Sequence, residues 1–138
     1  MNDKCAAGTG SFFDAMSRIF RMNLDEFPSP SLKANKIIPV TAQCSVFAES
    51  EVISLLARRN LPEDIAAGIQ MAVSKRCFTL LKSISMRPQL TVTGGCAKSH
   101  GLIKALTKVI NMEVTPLPVD PQIIGALGAA VFARRRQQ

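Results

Sequence analysis

Residues 62–84 constrain the fold more than any other stretch of the chain. Pro62, Glu63 and Asp64 open a helix, and Ile65, Ile69, Val73, Cys77, Leu80 and Ile84 follow at spacings of three or four, which lines one helical face with apolar side chains. Such a stripe has to be covered by other elements. After it, Leu90-Thr91-Val92-Thr93 reads as a strand running into Gly94-Gly95, and a helix follows through Leu102, Ile103, Leu106, Val109 and Ile110. Met112 to Leu117 is predicted as a second short strand. Asp120 and Pro121 then supply the N-cap and first position of a last helix, whose Gly125, Gly128, Ala129 and Ala130 form a small-residue face. Strands alternating with helices predict an α/β architecture.

The N-terminal part is read the same way. After Gly8-Thr9-Gly10, Ser11 can cap a helix with Asp14 three residues on, and Phe12, Phe13, Met16, Ile19 and Phe20 form its apolar stripe. Pro28-Ser29-Pro30 interrupts the pattern. Ile37, Ile38 and Val40 around Pro39 suggest a short extended segment at an edge, leading to Cys44. Ser45 is a plausible N-cap for a helix over residues 46–58, with Glu49 and Glu51 near its positive end and Arg58, Arg59 and Asn60 closing it.

With 138 residues the chain is one ordinary domain, able to bury roughly two thirds of its unfolded surface. No run of about 18 apolar residues suggests a membrane span, and the polar, glycine-rich start does not resemble a secretory leader, so a cytoplasmic location is expected. The net charge of +7 raises nucleic acid as a partner. The basic residues are scattered, Trp and Tyr are absent, and the Phe residues fall on helix faces, so no nucleic-acid role is expected. An acidic protein or nucleotide phosphates suit the charge better.

Four cysteines without regular spacing fit thiols or metal ligands rather than a disulfide framework. Cys77 falls on the apolar stripe and Cys96 follows the glycine pair, so both are assigned to packing. Cys5 and Cys44 differ in preceding predicted helices, whose N-termini stabilise anions. Two thiolates per chain suggest a shared metal centre, although spacing alone favours a small buried side chain over a metal ligand, and a four-ligand site would need two copies. Gly8-Thr9-Gly10 and Thr93-Gly94-Gly95 are glycine turns before helices, which either approach a phosphate closely or simply turn the chain. His100, the one histidine, is read as a solvated or capping residue.

The strings NDKCAAGTG, CSVFAESEVISLL, TGGCAKSHG and DPQIIGALGAA together resemble the C-terminal half of the activators of 2-hydroxyacyl-CoA dehydratases and their benzoyl-CoA reductase relatives, over nearly the whole chain. The resemblance implies one ribonuclease H-like α/β domain of the acetate kinase, sugar kinase, Hsp70 and actin superfamily, with extra helices. Residues 1–138 would be the C-terminal half of a two-domain ATPase. It further implies a homodimer holding one 4Fe-4S cluster between its subunits, with Cys5 and Cys44 as each subunit's ligands. ATP binding and hydrolysis would change the angle between subunits and drive a low-potential electron into a CoA-ester dehydratase or reductase.

By the same resemblance Gly8, Thr9 and Gly10 would approach the phosphates of ATP or ADP with its magnesium. Thr93, Gly94 and Gly95, with Ala97 and Lys98, would line the ribose and adenine side, joined by Gln122. Nothing in the sequence resembles the N-terminal phosphate-loop domain of such proteins, so this chain alone is expected to bind ATP poorly and to be inactive. The alternative is an iron-free nucleotide-binding and dimerisation module of the same fold without catalysis of its own.

Overall fold

The computed structural model describes residues 8–41, 44–84 and 86–136. Its helices are α1 (Thr9–Ile19), α2 (Ser45–Ala57), α3 (Pro62–Lys82), α4 (His100–Ile110) and α5 (Ile124–Arg136), with 3-10 turns at Pro30–Lys33, Gly95–Lys98 and Pro121–Ile123. No helix among the described residues is long and apolar enough to cross a membrane.

Helix α3 forms the spine. Pro62 stands in its first turn, where no N–H is required, and Glu63 and Asp64 lie at the positive end of the dipole. Ile65 and Ile69 are fully buried, Val73 nearly so, and Cys77 packs against the edge of the core. Leu80 and Ile84, expected to continue the stripe, are exposed. The reason is length: α3 has 21 residues and its neighbour α4 only 11. At about 1.5 Å per residue the last turns of α3 run beyond what α4 can cover.

The strip at residues 35–40 lies across the start of α3. Asp64, 1% exposed, accepts the backbone N–H groups of Asn35 and Lys36 on Oδ1 at 3.0 and 3.1 Å, and its carbonyl accepts from the Ile38 N–H at 3.1 Å. Gly68 permits this approach, since a Cβ there would stand 1.7 Å from the Ile38 carbonyl oxygen. Val40 is carried into the core beside Ala48 and Val52 of α2.

Helix α1 brings Phe12, Phe13 and Met16 to the same core. Phe27 lies against Phe13 and Phe20, with ring centroids 6.1 and 5.2 Å apart, and the Arg76 guanidinium of α3 covers the Phe12 ring at 4.9 Å. The expected Ser11 cap is replaced by Gly8, and Asp14 pairs with Arg18 one turn on. In α2 the N-cap is Cys44 rather than Ser45.

The predicted strands are corrected. Among the described residues Leu90 and Val114 form one parallel bridge and no ladder, with Thr115 N–H donating to the Leu90 carbonyl at 2.8 Å and the Thr91 hydroxyl to the Thr115 carbonyl at 2.9 Å. Pro116 and Pro118 lack the N–H groups that would extend the second segment, and a pair of extended segments with no third neighbour has little to register against. Ile37 and Ile38 likewise form no strand. The alternating order of helix and extended segment survives; the regular sheet does not.

Replacing Gly68 by alanine is expected to push the strip off α3 and lower stability by about 2–3 kcal/mol, read from the urea midpoint at unchanged slope. Gly128→Ala, where a Cβ meets nothing within 4 Å, should leave stability equal or higher.

Candidate functional site

The N-terminus of α1 and the two C-terminal 3-10 turns meet around a cavity of about 770 Å³. Its wall holds Gly10, Gly95, Lys98 and Gln122, four of the sequence-predicted residues, together with Phe13, Phe27 and Pro28. Gly8 and Thr9 immediately precede Gly10 as N-cap and first residue of α1, so the positive end of the helix dipole lies beside this region. Thr93 and Ala97 flank the wall residues in sequence and are not part of the wall.

The glycine turn is fixed by hydrogen bonds and conformation. Gly94 has φ of +86°, a region that side chains rarely adopt, and its N–H donates to the Pro121 carbonyl at 2.8 Å. A Cβ on Gly95 would stand 3.3 Å from the Gln122 side-chain nitrogen. Ser99 then caps α4 by accepting the Leu102 N–H at 3.2 Å.

Lys98 is aimed by two acceptors: its Nζ donates to Asp120 Oδ2 at 2.8 Å and to Gln122 Oε1 at 2.7 Å. Asp120 also accepts the Gln122 N–H at 2.9 Å, which is the N-cap expected of it. The Lys98 hydrogen bond, followed by that from the Gln122 N–H, holds the Asp120 carboxyl below its ordinary range. A depressed carboxyl favours the ionised form, so the contact persists through neutral pH and is lost as pH falls through the lowered value. Both groups are solvent-exposed, and the pair orients the lysine more than it stabilises the fold. An ammonium, turn amides and a helix N-terminus beside the apolar Phe13, Leu24 and Phe27 can hold an anionic group, with the Asp25 carboxylate as the one opposing charge among the described residues of the wall.

The second feature is Cys44. It is half-buried, and its thiol makes no capping hydrogen bond to the amides at the start of α2. Thr41, three residues earlier, is held by Glu51, which accepts its N–H on both carboxylate oxygens at 3.0 Å and its hydroxyl at 2.9 Å. Glu51 was read from sequence as a residue near the helix dipole; its reach back to Thr41 has no sequence signature. Cys5 lies outside the described residues.

Cys77 and Cys96 pack against the core. Burial raises both thiols above their ordinary pKa, offset at Cys77 by Arg76 and reinforced at Cys96 by proximity to Cys77. Cys96 also forms part of the cavity wall, a place its assignment to packing did not include. His100 is the exposed first residue of α4.

With the fold and the cavity described, the comparisons with known proteins give the family. The chain belongs to the BadF/BadG/BcrA/BcrD ATPase family, whose model matches residues 1–133. It is 44% identical over 133 residues to the 2-hydroxyisocaproyl-CoA dehydratase activator of Clostridioides difficile, covering 96% of this chain and 50% of the relative. It is 39% identical to the activator of lactoyl-CoA dehydratase of Anaerotignum propionicum, with 100% and 53% covered. Among solved structures, the Acidaminococcus fermentans (R)-2-hydroxyglutaryl-CoA dehydratase component A superposes with a TM-score of 0.89 at 38% identity, over 95% of this chain and 50% of that one. The Clostridium difficile activator with bound ADPNP gives 0.88 at 43%, over 96% and 49%. The chain thus spans about half the length of these relatives.

Alkylation mapped by mass spectrometry at pH 8 should label Cys77 and Cys96 more slowly than an unstructured peptide thiol, and denaturation should remove the difference. Equal rates in the folded chain would contradict the burial assigned to them.

Proposed function

We propose that this chain is the C-terminal half of an ATP-dependent activator that delivers a low-potential electron to a CoA-ester dehydratase or reductase. The observation that carries this reading is the gathering of Gly10, Gly95, Lys98 and Gln122 around one cavity. Its support is the likeness to activators, one of them with bound ADPNP. The fold proposed is a ribonuclease H-like domain of the acetate kinase, sugar kinase, Hsp70 and actin superfamily. In it, the extended segments at Leu90 and Val114 belong to a sheet completed by sequence that the relatives carry outside the matched half.

In this reading the α1 N-terminus holds the nucleotide phosphates, the Gly94 turn and Lys98 line the ribose and adenine side, and Phe13 and Phe27 exclude water from the base. Gln122, held beside Lys98, offers an amide to the nucleotide. The remaining half supplies the magnesium-binding loop, so hydrolysis belongs to the whole activator.

A 4Fe-4S cluster bound by Cys5 and Cys44 of two copies would supply a one-electron store at low potential. Cys44 suits that duty: its thiol is committed to no capping bond, it caps the start of α2, and Glu51 of the same helix holds Thr41 three residues before it. Cys77 and Cys96, half-buried against the core, have packing roles instead.

After anaerobic reconstitution with iron and sulfide, Cys44→Ala is expected to hold essentially no iron, while Cys77→Ala and Cys96→Ala hold as much as the unchanged chain. Iron retained by Cys44→Ala would sink the thiolate assignment. Nucleotide binding with no iron in any variant would favour the iron-free module.

A further inference from the structure

A second concavity, of about 450 Å³, lies between the Pro30–Lys33 turn, the strip that follows it, and the facing sides of α3 and α4. It shares no wall residue with the Gly10–Gln122 cavity. The two are separated where Gly101 packs against Pro28 and Ser31: a Cβ on Gly101 would stand 2.3 Å from the Ser31 hydroxyl and 2.9 Å from the Pro28 carbonyl oxygen.

The lining has two characters. Leu32, Ile37, Ala67, Met71 and Ala105 make an apolar floor, while Lys36, Lys104 and Lys108 stand at its edges. Lys104 and Lys108 are one turn apart on α4, so their side chains leave the same helical face. All three are exposed, and among the described residues none has an ion pair or side-chain hydrogen bond and no carboxylate lines the groove. Asp64, near Lys36 in space, is buried with Oδ1 committed to the Asn35 and Lys36 N–H groups. Like charges gathered over a low-dielectric wall raise the local concentration of anions.

Gln70, on the α3 wall, supplies an independent observation. It is 1% exposed, and neither its amide oxygen nor its amide nitrogen has a hydrogen-bond partner. It lines the groove together with Ala67 and Met71 of the same helix. A ligand seated in the groove can give this side chain the partner the protein does not.

We propose that the α3–α4 groove is a binding site for a small organic phosphate, its phosphate held by Lys36, Lys104 and Lys108 and its apolar body on Leu32, Ile37 and Met71 beside Gln70. The size falls within the range of small-ligand sites, and three ammonium groups match a phosphate dianion. The site is independent of the nucleotide reading, since no residue is shared.

The test is a titration of the isotopically labelled chain with 1-naphthyl phosphate, with 1-naphthol and inorganic phosphate in parallel, followed by amide resonances. Naphthyl phosphate should shift Lys36, Gly101, Lys104, Lys108 and the Gln70 side-chain amide saturably. Naphthol and phosphate alone should each bind at least roughly tenfold more weakly, because each lacks one of the two contacts. The K104A/K108A double variant should lose affinity by at least roughly tenfold while its spectrum stays dispersed. Equal binding by that variant, non-saturating shifts at lysines over the whole surface, or shifts confined to Gly10, Gly95 and Lys98 would each overturn the proposal, the last by assigning organic phosphates to the other cavity.

Discussion

The contact between the strip at residues 35–40 and the first turns of α3 is the interaction on which the other elements depend. Asp64 gathers two strip N–H groups on one carboxylate oxygen, its own carbonyl takes a third, and Gly68 lets the Ile38 carbonyl lie against the helix backbone. A buried carboxylate is tolerated only when hydrogen bonds replace its water, and these do so on one oxygen. With the strip anchored, Val40 reaches the core, Thr41 reaches Glu51, and Cys44 starts α2 at a defined place. On the other side the same strip walls the lysine-edged groove.

The second organising relation couples the glycine turn to α5. Gly94 is bonded to Pro121, and Lys98 to Asp120 and Gln122, so the turn that lines the cavity and the start of the last helix move as one piece. Helix α5 itself has no buried residue, and Leu127, Val131 and Phe132 are exposed. Its attachment to the rest of the described chain is made at its start. A displacement of α5 would therefore be felt first at Lys98.

How far the sequence foretold this depends on whether a feature is local. The helix start at Pro62, the Asp120 cap, which opens a 3-10 turn ahead of α5 rather than α5 itself, and the core positions Ile65, Ile69 and Val73 of α3 and Leu102, Leu106 and Ile110 of α4 were legible because propensity, capping and periodicity are local. Gly10, Gly95, Lys98 and Gln122 were recognisable through motifs and a family likeness, and they do converge. The strands were over-read, since Leu90-Thr91-Val92-Thr93 carries the β-branched pattern while the pairing it needs is a property of other segments and is cut off by Pro116 and Pro118. The Asp64 clamp, the Glu51 tether and the unpartnered Gln70 were invisible, because separations of ten to 29 residues and burial inside a helix leave no periodic trace.

The central claim is that the α1 N-terminus and the Gly94 turn form two sides of one nucleotide site. Titrating the labelled chain with ADP and following amide resonances tests it most directly. The account predicts saturable shifts that appear together at Gly10 and Thr9 on one side and at Gly95, Lys98 and Gln122 on the other, with one common affinity. Shifts on one side only, or saturation at Lys36, Lys104 and Lys108 with both sides of the cavity unmoved, would contradict it.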